Sequence, residues 1–449
     1  MADVVAAVGI LPKRDMTREA QKITLVSALG TVVDYFDFSL AGYLGATVWP
    51  ALFFPKGTFA AAFAASAGVA VGISYLARPF GAILFGHFGD ILGRKNSLLA
   101  TLLLAGVGTL GLAFAPTYAA AGFFGIILVV LCRLLFGIAM GGEMGGAVSW
   151  ITEAAEAAQT KRRGLYTGML AVAASTGVFL AAISFVVAST LLSKADFANW
   201  GWRIVVLLGV VAIIIAGIGR YSVMESPLFT ELKKKDAVIK QGFPILEVFR
   251  ERPLAVLILP WIAVAVTMVV VLSSSFLPGY FVATKAPWFS YTMVYWMAAT
   301  GAVLMAAAGF VFAYFSDALG RRPTILIALV GALVFMLVGL VALVPSGLLG
   351  MAFLAGVLFS IPVGAAEGGF YPLYAESFPT KYRQSGAGFT YQMSNLYESI
   401  LLVVVLPAIY VAYGLTNSLG PIAILETLCI VAGIVAVLWA KETRGALER

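Results

Sequence analysis

The ionisable side chains Asp34, Asp37, Arg78, Arg133, Glu143, Glu367, Glu398 and Glu426 all fall inside long apolar runs of this 449-residue chain. A charge in hydrocarbon costs several kcal/mol, so each of these groups is a candidate for function. Asp34 and Asp37 stand one helical turn apart, on one face of the first run and near its mid-depth. Arg133 lies similarly deep in the fourth run. A carboxylate close to a guanidinium is held ionised, whereas one buried alone favours its neutral form. An aspartate that alternates between those two situations can load a proton on one side and release it on the other. Arg78 falls in the inner half of the second run, where its fork suits a substrate carboxylate; an inner gate pair or a snorkelling side chain is the alternative. Glu143 and Glu367 sit among glycines, read as repeat partners and as gate or proton-path groups. Tyr391, Gln392 and Asn395 lie too deep in the eleventh run for an interfacial belt, and offer hydrogen-bonding groups to a cavity wall. Glu398 and Glu426 match no pattern.

These residues must be positioned by helices. Hydrophobic residues make up 61% of the chain and charged ones 11%, against about 45–50% and about 25% in soluble domains. The solvent is therefore a bilayer, and only helices or closed barrels satisfy the backbone there. The runs are long and unbroken, not alternating strands of about ten residues. About 20 apolar residues cross the hydrocarbon core, which places spans near 22–48, 59–86, 97–115, 119–150, 164–192, 202–224, 254–283, 288–314, 323–344, 347–374, 384–413 and 418–440. The expected architecture is an all-α membrane protein of twelve transmembrane helices. A cytoplasmic tail (1–21), a six-helix bundle (22–224), a cytoplasmic linker (225–253), a second bundle (254–440) and a short tail (441–449) follow in order.

The net charge of +7 is a topology signal rather than a nucleic-acid footprint. Basic residues concentrate in the tails, the linker and alternate connections, which become cytoplasmic with both termini inside the cell. Only Lys56, Lys194, Arg203 and Lys285 fall on the other side, and Arg78 and Arg133 within spans. One histidine, His87, and two isolated cysteines, Cys132 and Cys429, make no metal cluster and no nucleophile constellation. The expectation is a non-enzymatic protein of the cell (inner) membrane without cofactor, working as a monomer.

The two halves repeat. Gly86 to Lys95 and Ala313 to Arg322 join the second to the third and the eighth to the ninth spans, each with Asp, Gly and Arg at matching places. Phe136 to Glu153 pairs with Phe359 to Glu376, and Glu225 after span six with Glu442 after span twelve. Parallel repeats of this kind build rocking transporters, with the site between the halves near midplane. The spacing of Asp90, Gly93, Arg94 and Lys95, and of Asp317, Arg321 and Arg322, reads as a latch. Asp90 meets a helix terminus or base of span eleven or the inner loops; Arg94 and Lys95 pair with Glu153 or Glu225, and Arg321 and Arg322 with Glu376 or Glu442.

The doubled glycine–aspartate–glycine–arginine loop resembles the signature of the major facilitator superfamily. Asp34 to Phe38, Arg78 to Gly81, Arg133 through Glu143, Glu225 to Phe229 and Glu376 to Pro379 resemble its metabolite:proton symporters, with Asp34, Phe36 and Thr31 replacing that group's Glu, Tyr and Asn. Lys441 to Gly445 is similar to sugar porters. The resemblance implies two pseudo-symmetric six-helix bundles and proton-coupled symport of a small organic carboxylate or zwitterion by alternating access. A sugar transporter or another facilitator of this superfamily is the alternative. By analogy with both families, Asp37 and Arg133 form the coupling pair, with Asp34 as the other possible titrating acid.

In a variant lacking Cys132 and Cys429, Asp236→Cys should react with an impermeant thiol reagent from the cytoplasmic side. Labelling from the outside alone would overturn the topology.

Overall fold

The computed structural model describes residues 13–54, 68–225, 230, 244–271, 280, 291–338, 357–414 and 416–444. They form helices: α1 (Lys13–Thr47), α2 (Gly68–Leu92), α3 (Arg94–Ala113), α4 (Phe123–Ala157), α5 (Arg163–Leu191), α6 (Phe197–Tyr221), α7 (Pro253–Val270), α8 (Tyr291–Leu319), α9 (Arg321–Met336), α10 (Ser360–Glu376), α11 (Thr380–Tyr413) and α12 (Leu419–Trp439). Ten of these are long and apolar enough to cross a membrane on their described residues alone. The other two, α9 and α10, flank the stretch 339–356, outside the described residues. Leucine, valine and phenylalanine point outward along α3, α4, α6 and α12, because lipid tails are as apolar as the interior and exert no inward pull on them.

Several helices run further than the apolar runs suggest. α1 reaches back to Lys13, so the second half of the expected tail is helical, and Pro244–Glu251 in the linker is a short helix. The signature segments are not loops. Gly86 to Leu92 is the last two turns of α2, Arg94 opens α3, and Gly93 alone makes the corner at φ +120°. Gly320 does the same between α8 and α9 at φ +109°. A side chain is strained at such φ, which explains glycine at both places.

The halves meet where α11 packs along α2 and α8 along α5. Within each half, glycine lets backbones touch. A Cβ on Gly141 of α4 would strike the Arg78 carbonyl of α2, and a Cβ on Gly364 of α10 the Met305 carbonyl of α8. Such small-residue contacts replace the missing hydrophobic drive between membrane helices.

Gly141→Val should therefore lower folded stability by about 1–3 kcal/mol through overpacking, read as a lower melting temperature in detergent. Gly217→Ala, where the added Cβ would meet nothing within 4 Å, should not lower it.

Candidate functional site

Residues 34 to 37 of α1 are consecutive, and successive side chains on a helix turn by about 100°. They consequently reach different neighbours. Asp34 accepts two hydrogen bonds from the Arg78 guanidinium of α2, at 3.0 and 2.5 Å. Tyr35 turns to the other half, its hydroxyl 3.1 Å from that of Tyr371, 3.3 Å from Glu367 Oε1 and 3.4 Å from the Tyr391 hydroxyl. Phe36 packs beside Gly177 of α5 and Gly209 of α6. Asp37 accepts from Arg133 Nη1 of α4 at 2.5 Å. All four charged groups are buried, and each arginine also stacks near a ring, Arg78 over Tyr75 at 4.7 Å and Arg133 over Phe136 at 5.2 Å.

The Arg78 fork is thus occupied by Asp34, rather than presented to a ligand. This is the gate-pair alternative in form, but its partner lies on α1 within the same half. Gln392 of α11 donates across the seam to the Met140 and Gly141 carbonyls, both at 3.2 Å, and accepts from Asn395. Ser385, Gln392 and Ser399 recur every two turns of α11 and each bonds the first half, Ser399 to the Gly72 carbonyl at 2.9 Å. Tyr391 completes the tyrosine cluster. Beyond this centre a cavity of about 60 Å³ touches Ser39, Tyr43, Val178, Met297, Ser360 and Val363, room for a few waters but not for a metabolite. The rings of Tyr43, Phe185 and Tyr295 close on one another at 5.0–5.3 Å.

Glu143 and Glu367 part company. Glu143 is held by the Arg220 fork and by Thr101 at 3.2 Å, all within the first half. Arg220 had the look of a solvated topology anchor, yet it is fully buried. The two glutamates are not repeat partners. Gly146 lies against Leu98 and Gly369 against Ile325, just as Gly141 and Gly364 lie against α2 and α8. That alignment matches Glu143 with Ala366, and Glu367 with Met144. The offset of one residue rotates the carboxyl from the bundle interior to the seam.

At the basic end, the same arrangement appears twice. Asp90 accepts from the Ser385 backbone N–H at 3.0 Å and its hydroxyl at 2.5 Å, at the start of α11. Asp317 accepts from Gly164 and Leu165 N–H, at 2.8 and 2.9 Å, at the start of α5. Each carboxylate meets the unpaired N–H groups and positive dipole of a helix in the opposite half. Arg94 bridges Asp90 and Glu153 at 2.7 and 3.1 Å and reaches the Thr380 carbonyl; Arg321 bridges Asp317 and Glu376 at 2.9 Å each. From across the seam, Arg383 approaches Glu153 and Arg163 approaches Glu376, both at 3.6 Å. Neither arginine stands out in the sequence, since both fall in basic clusters that read as anchors.

Glu225 and Glu442 accept from backbone N–H groups: Arg94 and Lys95 for the former, Arg321 and Arg322 for the latter. Burial works against the charge of Glu442, but the N–H groups of Arg321, Arg444 and Arg322 hold its carboxyl below the usual glutamate range. Lys95 instead donates to the Tyr221 carbonyl, and Arg322 to those of Val437 and Leu438, closing the ends of α6 and α12. The expected Lys95 and Arg322 side-chain pairs with acids are replaced by these caps.

Two repeated bundles, buried arginine–carboxylate pairs at the centre and duplicated seals at one end define a membrane transporter. The profile of the sugar (and other) transporter family matches residues 23–242 and 266–446. The chain is 32% identical over 450 residues to the inner membrane metabolite transport protein YhjE of Escherichia coli K12, covering 94% of each, and 29% identical to that organism's shikimate transporter, covering 84% of this chain and 85% of the other. Its fold matches the Escherichia coli proton:xylose symporter XylE with a TM-score of 0.74 over 96% of this chain and 98% of that one, at 16% identity. The chain belongs to the sugar (and other) transporter family of the major facilitator superfamily, with relatives among bacterial metabolite transport proteins.

Removing one member of a buried ion pair leaves the other uncompensated, at about 3–5 kcal/mol. Asp34→Asn and Arg78→Gln should each lower the melting temperature, and the double variant should lose less than the sum. Strictly additive losses would mean the pair does not form.

Proposed function

We propose that the protein is a proton-coupled symporter of a small organic carboxylate or zwitterion, with Asp37 and Arg133 as its coupling pair. The observation that carries this reading is the Asp37–Arg133 bond, 2.5 Å long and buried between α1 and α4. Protonating Asp37 removes the charge that holds Arg133, so proton uptake on one side would free a guanidinium for a substrate anion. Arg78 gains the same freedom if Asp34 is the acid that titrates. Parting of the halves would release Gln392, Asn395 and Tyr391 to line the opened cavity. The printed names of the relatives, for metabolites and for shikimate, support this substrate class.

Alternating access follows from the duplicated seals. The basic end is the cytoplasmic one in this reading, with both termini there. Asp90 and Asp317, each on a helix start of the opposite half, favour closure on that side with Gly93, Arg94, Glu153, Glu376 and Arg321 holding them in place. The family description and the fold shared with a xylose symporter favour a second reading, a neutral sugar as cargo. Uptake of organic acids, amino-acid-like osmolytes and sugars into proteoliposomes under an imposed pH gradient separates the two.

With the substrate so found, Asp37→Asn should abolish gradient-driven accumulation while counterflow persists, because exchange needs no net proton transfer. Arg133→Ala should lose both. Accumulation surviving in Asp37→Asn but lost in Asp34→Asn would move the proton to Asp34, and survival in both would remove coupling from α1 altogether.

A further inference from the structure

Glu367 is a buried acid with no counter-charge among the described residues. Its side chain has no exposure to solvent, and it lies on α10 at the seam between the halves. Oε1 accepts from the Tyr35 hydroxyl at 3.3 Å; Oε2 has no hydrogen-bond partner among the described residues. Tyr35 from α1 meets it, and the hydroxyls of Tyr371 on α10 and Tyr391 on α11 stand beside that of Tyr35. Every charged side chain described on the neighbouring helices is engaged elsewhere. Asp34 and Asp37 turn to Arg78 and Arg133, Glu143 to Arg220, while Arg163, Asp317 and Arg321 serve the basic end. Thr267 of α7 bonds Glu398.

A buried carboxylate needs two or three donors or a cation to remain ionised. Tyr35 has one proton to give and shares its hydroxyl among three neighbours, so Glu367 receives one bond at most. An isolated ion in so dry a place neutralises instead. We infer that Glu367 is a second proton-binding site of the transport cycle: as the neutral acid it lets α10 close on α1, and as the carboxylate it keeps the seam apart. When the halves separate, Tyr35 withdraws, water reaches the carboxyl, and the acid passes its proton to that water and becomes a hydrated carboxylate. Closure requires the reverse step. The one-residue offset from Glu143 gives this acid its place, since at the Glu143 register it would face the bundle interior.

The inference rests on proton-driven transport only for the use made of the proton, and its test needs no substrate. Infrared spectra of purified protein at neutral pH should show a carboxylic-acid C=O band that Glu367→Gln loses. In Tyr35→Phe the band should persist at higher frequency, because the one hydrogen-bond donor it has among the described residues is gone. In Asp90→Asn/Asp317→Asn, where the basic end is unlatched, the band should disappear at lower pH than in the wild type. An unchanged acid band in Glu367→Gln, an unmoved band in Tyr35→Phe, or a titration indifferent to unlatching would each overturn the proposal. A positive infrared result without pH-driven uptake of any metabolite would instead overturn the symport reading and leave this site standing.

Discussion

A bilayer supplies neither water nor mobile counter-ions, so each charge inside this protein must be answered by a neighbour. The short stretch Asp34 to Asp37 on α1 concentrates that constraint. Two aspartates separated by one turn would repel each other if both faced one cavity. Here they are split between Arg78 and Arg133 on different helices, and the tyrosine between them leaves the half entirely to join α10 and α11. α1 is thereby tied to α2, α4, α10 and α11 over a single turn. In the symport we propose, a change in protonation at any of these positions would alter how α1 sits against several helices at once.

The basic end solves the same problem by a different means. Asp90, Asp317, Glu225 and Glu442 all spend their charge on helix N-termini. The first two join halves, and the last two close helices within a half. Hydrogen bonds to ionised groups are worth about 1.5–3 kcal/mol each, enough in pairs to hold a seam shut yet small enough to be exchanged for water when it opens. The seal is duplicated about the pseudo-twofold, an arrangement that suits the proposed rigid-body rocking of one bundle on the other.

Much of this is legible in the residues. The apolar runs mark the helices, and the doubled motif marks the repeat and the acids that meet α5 and α11. What misleads is composition near the basic end. Gly86 to Gly93 is rich in glycine and ends in charges, so hydropathy reads a loop, although the glycines are there for helix contact and only Gly93 turns. Arg163, Arg220 and Arg383 read as anchors because sequence reports charge but not depth. Arg220 and Arg383 are fully buried, and their partners lie far along the chain, on α4. Arg78 is ambiguous in the sequence for a related reason: a deep arginine suits a ligand or a partner equally well, and spacing along α2 says nothing of α1.

The mismatch of Glu143 and Glu367 shows how a duplicated scaffold places its acids differently in its two halves. Both follow the same glycine pattern, and reading them as partners requires a slip of a single position. On a helix that slip is about 100° of rotation, the difference between a carboxyl beside Arg220 and one beside Tyr35. The helix backbones need not move for this. The Gly141 and Gly364 contacts set the rotation of α4 and α10 against their neighbours, so the position of an acid within the repeat alone decides whether it is neutralised inside a bundle or left on the moving surface. Symmetric bundles can thus be cheap to fold and still work asymmetrically, provided their glycines fix the rotation of each helix and their acids occupy different registers.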